Sequence, residues 1–204
     1  MSLPRYQDYS EISLHSSAPS IKAQASNLCF VSLEHPDPNS KSPLPSLDEI
    51  VGTWHIIRTS VPFWKDKRNP TVTFQKHFDS TSTTSYLENS TNYQPSTSTK
   101  IKTVNGTDTP VTDQQGTYEW RGAGWLKVAS SSWEILGYEK SGVNAWLFVY
   151  TPGSIFTTGG LILYSNSKEG LSEGVLERLE AVFAGWKHPK LQELIVSMYD
   201  TRRD

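Results

Sequence analysis

One segment carries more information about this chain than any other: residues 50–58, which read Ile-Val-Gly-Thr-Trp-His-Ile-Ile-Arg. β-Branched and aromatic residues dominate it, as they do in strands that pack on a core. Within it, Gly52 and Trp54 form a Gly-x-Trp triplet. Because such triplets also occur by chance, the meaning of this one depends on the pattern that follows it.

Short runs of β-branched and aromatic residues, separated by Gly, Pro, Asn and Ser, continue from Val51 onward. This spacing is typical of an antiparallel meander of about eight strands that closes into a barrel or a sandwich. Between Ser80 and Thr99, 12 of 20 residues are Ser or Thr, and we predict a polar strand there followed by a loop over residues 89–98. The predicted strands cover residues 51–60, 71–78, 80–87, 100–104, 116–121, 125–129, 133–139, 145–151 and 160–165.

Two helices are predicted after the last strand. The first begins at Ser172-Glu173, with an acidic residue in its first turn, and the second follows His188-Pro189 and covers residues 191–198. Both carry apolar residues at helical spacing, so each is expected to pack one face on the outer wall of the barrel. The apolar positions are Val175, Leu176, Leu179, Val182 and Phe183 in the first helix, and Leu191, Leu194 and Ile195 in the second.

The chain divides into an extension over residues 1–46 and one β-rich domain over residues 47–204. The extension ends in a proline-rich linker, residues 36–45, where the prolines fix φ and remove backbone donors. Before this linker, the apolar run 28–33 is predicted either to lie against the barrel as a strap or to add an edge strand.

Composition and charge exclude several classes of protein. The net charge of -2, from 19 basic and 21 acidic residues, leaves no basic excess for binding nucleic acid. Cys29 is the single cysteine, so neither an intrachain disulfide framework nor a thiolate metal cluster is expected. No apolar stretch reaches the roughly 18 residues of a membrane span, and no signal sequence is recognisable, so we predict a cytoplasmic protein.

Five segments in order resemble the lipocalin-like part of the calycin superfamily, over most of the chain from Val51 to Ser197. The resemblance implies a mostly β protein: a single lipocalin-like antiparallel β-barrel of eight to nine strands, with the C-terminal helices packed outside. In the lipocalin pattern an arginine after the last strand covers the first-strand tryptophan, whereas here Asn166 occupies that position and Lys168 is nearby. Lys168 or another basic group is therefore a candidate to cover Trp54 and stack on its ring. The five segments are residues 52–54, 124–128, 133–138, 146–150 and 161–165.

Two further segments, residues 63–69 and 116–122, are similar to counterparts in small intracellular lipocalin-like proteins of filamentous fungi. Several of those proteins act in secondary-metabolite pathways. The resemblance thus implies a role in the biosynthesis of a hydrophobic or aromatic small molecule.

Seven Trp, nine Tyr and seven Phe are concentrated in the β region. A barrel of about eight strands can hold one small ligand, and aromatic rings lining it would bind a polyene or an aromatic polyketide by stacking and apolar burial. The alternative is that these rings only fill the core. Phe63, Trp64 and Lys65 follow the first strand at the end opposite Trp54, which predicts a lid over the mouth. The candidate ligand-binding residues are Trp54, Phe63, Trp64, Lys65, Trp120, Trp133, Trp146, Phe148 and Tyr150.

Arg58 and Tyr118 are the candidate catalytic residues. If Trp54 points inward, strand alternation also places Arg58 inside the barrel, where a buried guanidinium would hold a substrate oxygen. The alternatives for this arginine are an exit at the rim and a structural ion pair. The face shared by Trp146, Phe148 and Tyr150, like that of Tyr118 and Trp120, is predicted to be either cavity wall or helix-packing surface.

No hydrolase elbow, zinc helix or nucleotide-binding loop occurs in the sequence, and no cofactor is predicted. His55 and His77 are the histidine pair that adjacent strands would bring face to face, as metal ligands or a proton relay. Because no third ligand is apparent, we interpret both as structural and predict no metal.

Three functions fit this pattern. The first is a cofactor-independent cyclase or isomerase that folds a hydrophobic, polyketide-like intermediate, by pericyclic addition, oxa-cyclisation or double-bond isomerisation. The second is a non-catalytic carrier of a small hydrophobic molecule, which explains the missing catalytic motifs more simply. The third is an interaction domain whose barrel is filled by tryptophans. The sequence leaves the oligomeric state open.

Overall fold

The computed structural model describes residues 44–80, 84–112, 114–140, 145–153 and 158–204. Within these ranges the chain forms three α-helices, nine strands and two short 3-10 turns, Pro62–Trp64 and Gly124–Leu126. In chain order the helices and strands are α1 (Leu47–Ile50), β1 (Gly52–Thr59), β2 (Lys67–Asp79), β3 (Thr84–Pro95), β4 (Lys102–Pro110), β5 (Thr117–Gly122), β6 (Ser130–Glu139), β7 (Trp146–Thr151), β8 (Gly160–Ser165), α2 (Glu173–Gly185), α3 (Pro189–Val196) and β9 (Tyr199–Asp200).

Strands β1 to β8 form a closed antiparallel barrel. Each strand pairs with the next along the chain, and β1 also pairs with β8, which joins the first strand to the last. A closed barrel leaves no unpaired sheet edge. The mostly β fold class predicted from the sequence, with helices following the barrel, is confirmed.

The pairing of β1 changes partway along the strand. Up to His55 it pairs with β2, and from Arg58 onward β9 takes over that edge. The chain then continues beside β2, where the main-chain N–H of Asn69 donates a hydrogen bond to the carbonyl of Arg202 at 2.8 Å. Residues 199–204 therefore fill the seam between β1 and β2, and we call them the seam segment.

Helix α1 closes one end of the barrel, which we call the base. It starts where the Glu49 carboxylate accepts a hydrogen bond from the main-chain N–H of Ser46 at 2.8 Å, as in a capping box. Ile50 of α1 is buried, and its carbonyl accepts a hydrogen bond from Trp54 Nε1 at 2.7 Å. Lys76 of β2 reaches the carboxylate of Asp48 at 2.7 Å. The opposite end, beyond Thr59, is the mouth.

Two apolar cores lie on the two sides of the barrel wall. The inner core fills the barrel and includes Trp54, Ile56 and Phe74, whereas the outer core lies between the wall and helices α2 and α3. Alternation along β7 supplies both cores, because successive side chains point to opposite faces of a strand. Its inward residues are Leu147 and Val149, and its outward residues are Trp146 and Phe148.

Two element predictions are wrong. Residues 125–129 do not form a strand, because Gly124 adopts φ 62° and starts a 3-10 turn in the loop between β5 and β6. Residues 89–98 are not a loop, since β3 continues to Pro95 and pairs on both sides with β2 and β4. The prediction failed because β3 is rich in polar residues, which do not indicate a strand, although hydrogen bonds to β2 and β4 stabilise it.

The extension predicted for residues 1–46 lies outside the described residues up to residue 43, and so does the apolar run 28–33. In the described ranges, no helix is both long enough and apolar enough to cross a bilayer.

Candidate ligand-binding site

A cavity of about 140 Å³ lies inside the barrel. Strands β2 to β8 contribute its wall, and apolar and aromatic side chains predominate there. The lining residues are Val72, Phe74, Asn89, Thr91, Asp108, Trp120, Ser131, Trp133, Leu147, Val149, Thr151, Ile162 and Tyr164.

A buried carboxylate, Asp108 of β4, lies in this wall and is held by two neighbours. Trp133 donates its Nε1–H to Oδ1 of Asp108 at 2.8 Å, and Asn89 donates its Nδ2–H to Oδ2 at 2.5 Å. Trp120 in turn donates its Nε1–H to Oδ1 of Asn89 at 3.4 Å. The two indoles and the amide thus form a network that ends on one carboxylate.

Burial raises the pKa of Asp108 to about 6, and the hydrogen bonds from Trp133 and Asn89 oppose this shift only in part. In the ranges that the structure describes, no Lys, Arg or His forms an ion pair with this carboxylate. At neutral pH Asp108 is therefore an ionised group inside an apolar wall, with hydrogen bonds but no counter-charge from the described part of the chain.

Two tyrosines near Asp108 keep their protons at neutral pH. Burial, and next the charge of Asp108, raise the pKa of Tyr118 to about 12 and also raise the pKa of Tyr164. Tyr118 stacks on Trp133, with ring centroids 4.2 Å apart and planes at 15°. This stacking fixes the indole whose N–H points at Asp108.

The predicted lid residues lie at the mouth but outside the wall of the cavity. Phe63, Trp64 and Tyr93 meet edge to face, with centroid distances of 4.8 to 5.9 Å. Trp64 is buried, whereas Phe63 is exposed. Lys65 is exposed, and its Nζ lies 5.7 Å from the centroid of the Tyr199 ring.

Of the remaining predicted aromatic residues, only Trp120 and Trp133 line the cavity. Tyr118, a predicted catalytic residue, lies in the inner core behind Trp133. Trp54 is also in the inner core, at the base, where its indole N–H is bonded to Ile50. Lys168 does not provide the expected stacking on this ring, because its Nζ reaches the main-chain oxygen of Asp204 at 3.2 Å.

Trp146, Phe148 and Tyr150 lie on the helix-packing surface, one of the two positions predicted for their face of β7, and not in the wall of the cavity. Phe148 stacks on Phe183 of α2 at 4.4 Å between ring centroids. The other face of β7, with Leu147, supplies the cavity wall.

The inward position that strand alternation predicted for Arg58 is wrong. A bulge in the pairing of β1 with β8, between Ile56 and Arg58, breaks the alternation on which that prediction depended. Arg58 lies on the outer side, where its guanidinium pairs with Glu180 of α2 at 2.6 Å and with Asp200 of β9 at 2.8 Å. Of the alternatives predicted for this arginine, the structure shows the structural ion pair.

His55 and His77 do not face each other. His55 lies opposite Thr71, whereas His77 lies opposite Tyr86 and stacks on its ring at 5.6 Å. Among the described residues, no three His, Cys, Asp or Glu side chains come together as a set that could hold a metal ion.

Sequence reasoning missed Asp108 and Asn89, the polar centre of the cavity. Asn89 fell in the predicted loop, and the strand predicted over residues 100–104 ended before Asp108. Extending that strand as far as Pro110 and applying alternation from Gly106 would have placed Asp108 on the inward face.

No protein-family model matches the chain, and no curated protein matches its sequence. Solved structures do match its fold. The crystal structure of Per a 4, a major allergen from cockroaches, is 10% identical, with a TM-score of 0.55 over 87% of this chain and 96% of that chain. A closed barrel of eight antiparallel strands, with a further strand beside β1 and C-terminal helices, is the lipocalin fold.

Two other matching structures have lower scores. The siderocalin Ex-FABP, described as functioning through dual ligand specificities, is 15% identical, with a TM-score of 0.48 over 76% of this chain and 95% of that chain. The possum milk whey lipocalin trichosurin, solved with bound 4-ethylphenol, is 12% identical, with a TM-score of 0.42 over 72% of this chain and 92% of that chain.

Proposed function

We propose that this protein binds one small, largely apolar molecule inside the barrel, and that a hydrogen-bond donor or positive charge on this molecule contacts Asp108. The observation that carries the proposal is a buried carboxylate, without a counter-charge among the described residues, in the wall of an otherwise largely apolar cavity. Lipocalin-type barrels of eight strands are wide enough for one small ligand.

The size of the cavity sets the size of the ligand. A dry cavity of about 150 Å³ in another protein accommodates benzene, so about 140 Å³ suits one substituted aromatic ring. Trp120, Trp133 and Phe74 offer rings for offset or edge contacts with it.

The polar end of the ligand follows from the cost of burying a charge. An ionised carboxylate in an apolar site is unfavourable unless hydrogen bonds or an opposite charge compensate it. Asp108 receives one donor on each oxygen, and each oxygen can accept more than one. An ammonium or hydroxyl group on the ligand would supply a further donor, and an ammonium would also interact with the tryptophan faces.

Three probes of similar size test this proposal by calorimetry: benzylamine, benzyl alcohol and ethylbenzene. We expect affinity to fall in that order, and we expect Asp108→Asn to remove most of the preference for benzylamine. Trp125→Phe, at an exposed position outside the cavity, is the control. Equal binding of all three probes would remove Asp108 from recognition, and no binding of any probe would contradict a site of this size.

A second candidate function is the cofactor-independent cyclase or isomerase, acting on a polyketide-like intermediate in fungal secondary metabolism. The observation that favours it is the pKa of Asp108, raised to about 6. A general base works best when its pKa lies near the operating pH, so Asp108 is suited to move a proton on a bound substrate. Arg58 has no part in this version, since its side chain lies outside the barrel.

Metabolite profiles distinguish the two functions. A strain that lacks the gene and a strain that carries Asp108→Asn are compared with wild type. A precursor that accumulates in both strains indicates proton transfer by Asp108. Unchanged products in both, together with a small molecule extracted from the purified protein, indicate a carrier.

A further inference from the structure

Three large apolar side chains are exposed on two loops of the barrel. Trp125 is 87% exposed and Val128 is 85% exposed, both in the loop between β5 and β6. Ile101, which is 66% exposed, precedes β4 in the loop after β3. Exposed apolar groups that cluster at one end of a soluble domain typically mark an interaction surface.

Both loops lie at the mouth. Tyr93 of β3 contacts Phe63 and Trp64 there, and Tyr93 pairs with Lys102 at the start of β4. The loop between β5 and β6 joins the same end, since the main-chain N–H of Ala123 donates to the carbonyl of Asn105 at 2.9 Å. We call these two loops, together with residues 62–68, the mouth rim.

The mouth rim is basic, although the whole chain carries a net charge of -2. Asp66 pairs with Lys67 at 2.5 Å and Asp204 pairs with Arg68 at 2.6 Å. Three further cations of the mouth rim, and two at the adjoining ends of β4 and β5, form no ion pair within the ranges that the structure describes. They are Lys65, Lys100, Lys102, Arg121 and Lys127.

We propose that the mouth rim docks on the surface of an anionic lipid bilayer, with Trp125 and Val128 inserted among the headgroups. Tryptophan favours the membrane interface because one end of its ring system is apolar and its N–H is polar. Lysine and arginine near such a surface are attracted by the negative potential of anionic lipids. An exposed tryptophan and basic side chains thus occur together at one end of the barrel, the end through which a ligand would enter. The proposal does not depend on what the cavity binds.

Sedimentation with lipid vesicles tests the docking surface. The full chain is mixed with vesicles of phosphatidylcholine alone and of phosphatidylcholine with phosphatidylserine. We expect binding to the anionic vesicles only, and we expect it to weaken as salt is raised, since salt screens exposed charges. Trp125→Ala and Lys127→Glu should each reduce the bound fraction at least about tenfold.

Phe78→Ala is the matched control. Phe78 is also an exposed aromatic residue, at 65%, but it lies near the end of β2 beyond the base. Its replacement should leave vesicle binding unchanged. The proposal is overturned if anionic vesicles are not bound, if Phe78→Ala has the same effect as Trp125→Ala, or if light scattering shows a dimer that Trp125→Ala converts to monomer.

Discussion

Asp108 places a carboxylate where its ionisation opposes folding. Its pKa rises from the ordinary 3.8 to about 6 on burial, so the folded state holds this proton more tightly than the unfolded chain. The stabilising effect of the protonated group is complete below about pH 3.8 and is lost as the pH rises to about 6. A shift of this size corresponds to about 3 kcal/mol in the free energy of unfolding.

Replacing Asp108 by Asn removes this ionisation while keeping a polar side chain of similar shape. In either orientation its amide nitrogen replaces one of the two acceptors, so the hydrogen bond from Asn89 or from Trp133 is lost at every pH. On top of this constant loss, the stability of the variant relative to wild type is expected to rise by about 3 kcal/mol between about pH 4 and pH 7. Urea unfolding of both proteins across this range measures the difference. A difference that does not vary with pH would show that Asp108 does not titrate there.

Strand β7 separates ligand binding from helix packing along one short segment. Its side chains alternate between the cavity and the surface under α2, so neighbouring residues have different tasks. Substitutions on its two faces should therefore be equally harmful to stability and unequal in their effect on the ligand.

Leu147→Ala and Phe148→Ala test this separation. Each is expected to lower the free energy of unfolding by about 2–5 kcal/mol, because both side chains are fully buried. Only Leu147→Ala should enlarge the cavity and admit alkylbenzenes longer than ethylbenzene. Calorimetry with such a series provides the measurement, and a change of size preference in Phe148→Ala would contradict the assignment of the faces.

The bulge of β1 directs Arg58 outward, where its ion pairs connect β1 to α2 and β9. Arg58→Leu is expected to leave ligand affinity unchanged and to lower the free energy of unfolding by about 1 kcal/mol, since the pairs are partly exposed. A double-mutant cycle with Glu180→Gln isolates the contribution of that pair. Loss of ligand binding with unchanged stability would instead assign Arg58 to the site.

Runs of β-branched and aromatic residues made most strands predictable, as β7 and β8 show by matching their predicted bounds within one residue. β3 was predicted only in part, because its hydrogen-bonded ladder holds residues such as Asn89 that have low strand propensity on their own. The predicted inward position of Arg58 was wrong because of a bulge in β1. This bulge depends on the pairing of β1 with β8 and has no signature in the local sequence. The residues of the site come together through the register of neighbouring strands, which is set only when the barrel closes, so the sequence alone did not predict them.

At the scale of the whole molecule, the seam segment provides hydrogen-bond partners for the part of β1 that does not pair with β2. The Thr201 hydroxyl donates to the carbonyl of Ile56 at 2.5 Å, and its main-chain N–H donates to the carbonyl of Ile57 at 3.0 Å. The Tyr199 hydroxyl adds a hydrogen bond to the carbonyl of Val61 at 2.6 Å. The segment is thus bonded to β1 at Ile56 and Ile57, and to Val61 just beyond the end of this strand.

Removing residues 199–204 should weaken the barrel as a whole rather than fray one end. Several buried carbonyls would lose their donors, at about 1–3 kcal/mol for each one left unsatisfied. We expect a fall in the melting temperature that exceeds the effect of Thr201→Val, which removes only the hydroxyl. Equal melting temperatures of the truncated and full chains would contradict a structural role for the seam segment.

This arrangement also bears on synthesis. The partner of β1 in β8 lies about a hundred residues later along the chain, and its remaining edge is completed only by residues up to 204. Until the seam segment has left the ribosomal tunnel, part of the edge of β1 stays unpaired, and such an edge is a template for pairing with neighbouring chains. We therefore expect crowded polysomes to be where this protein is most prone to aggregate, and slow translation to lengthen its dependence on chaperones.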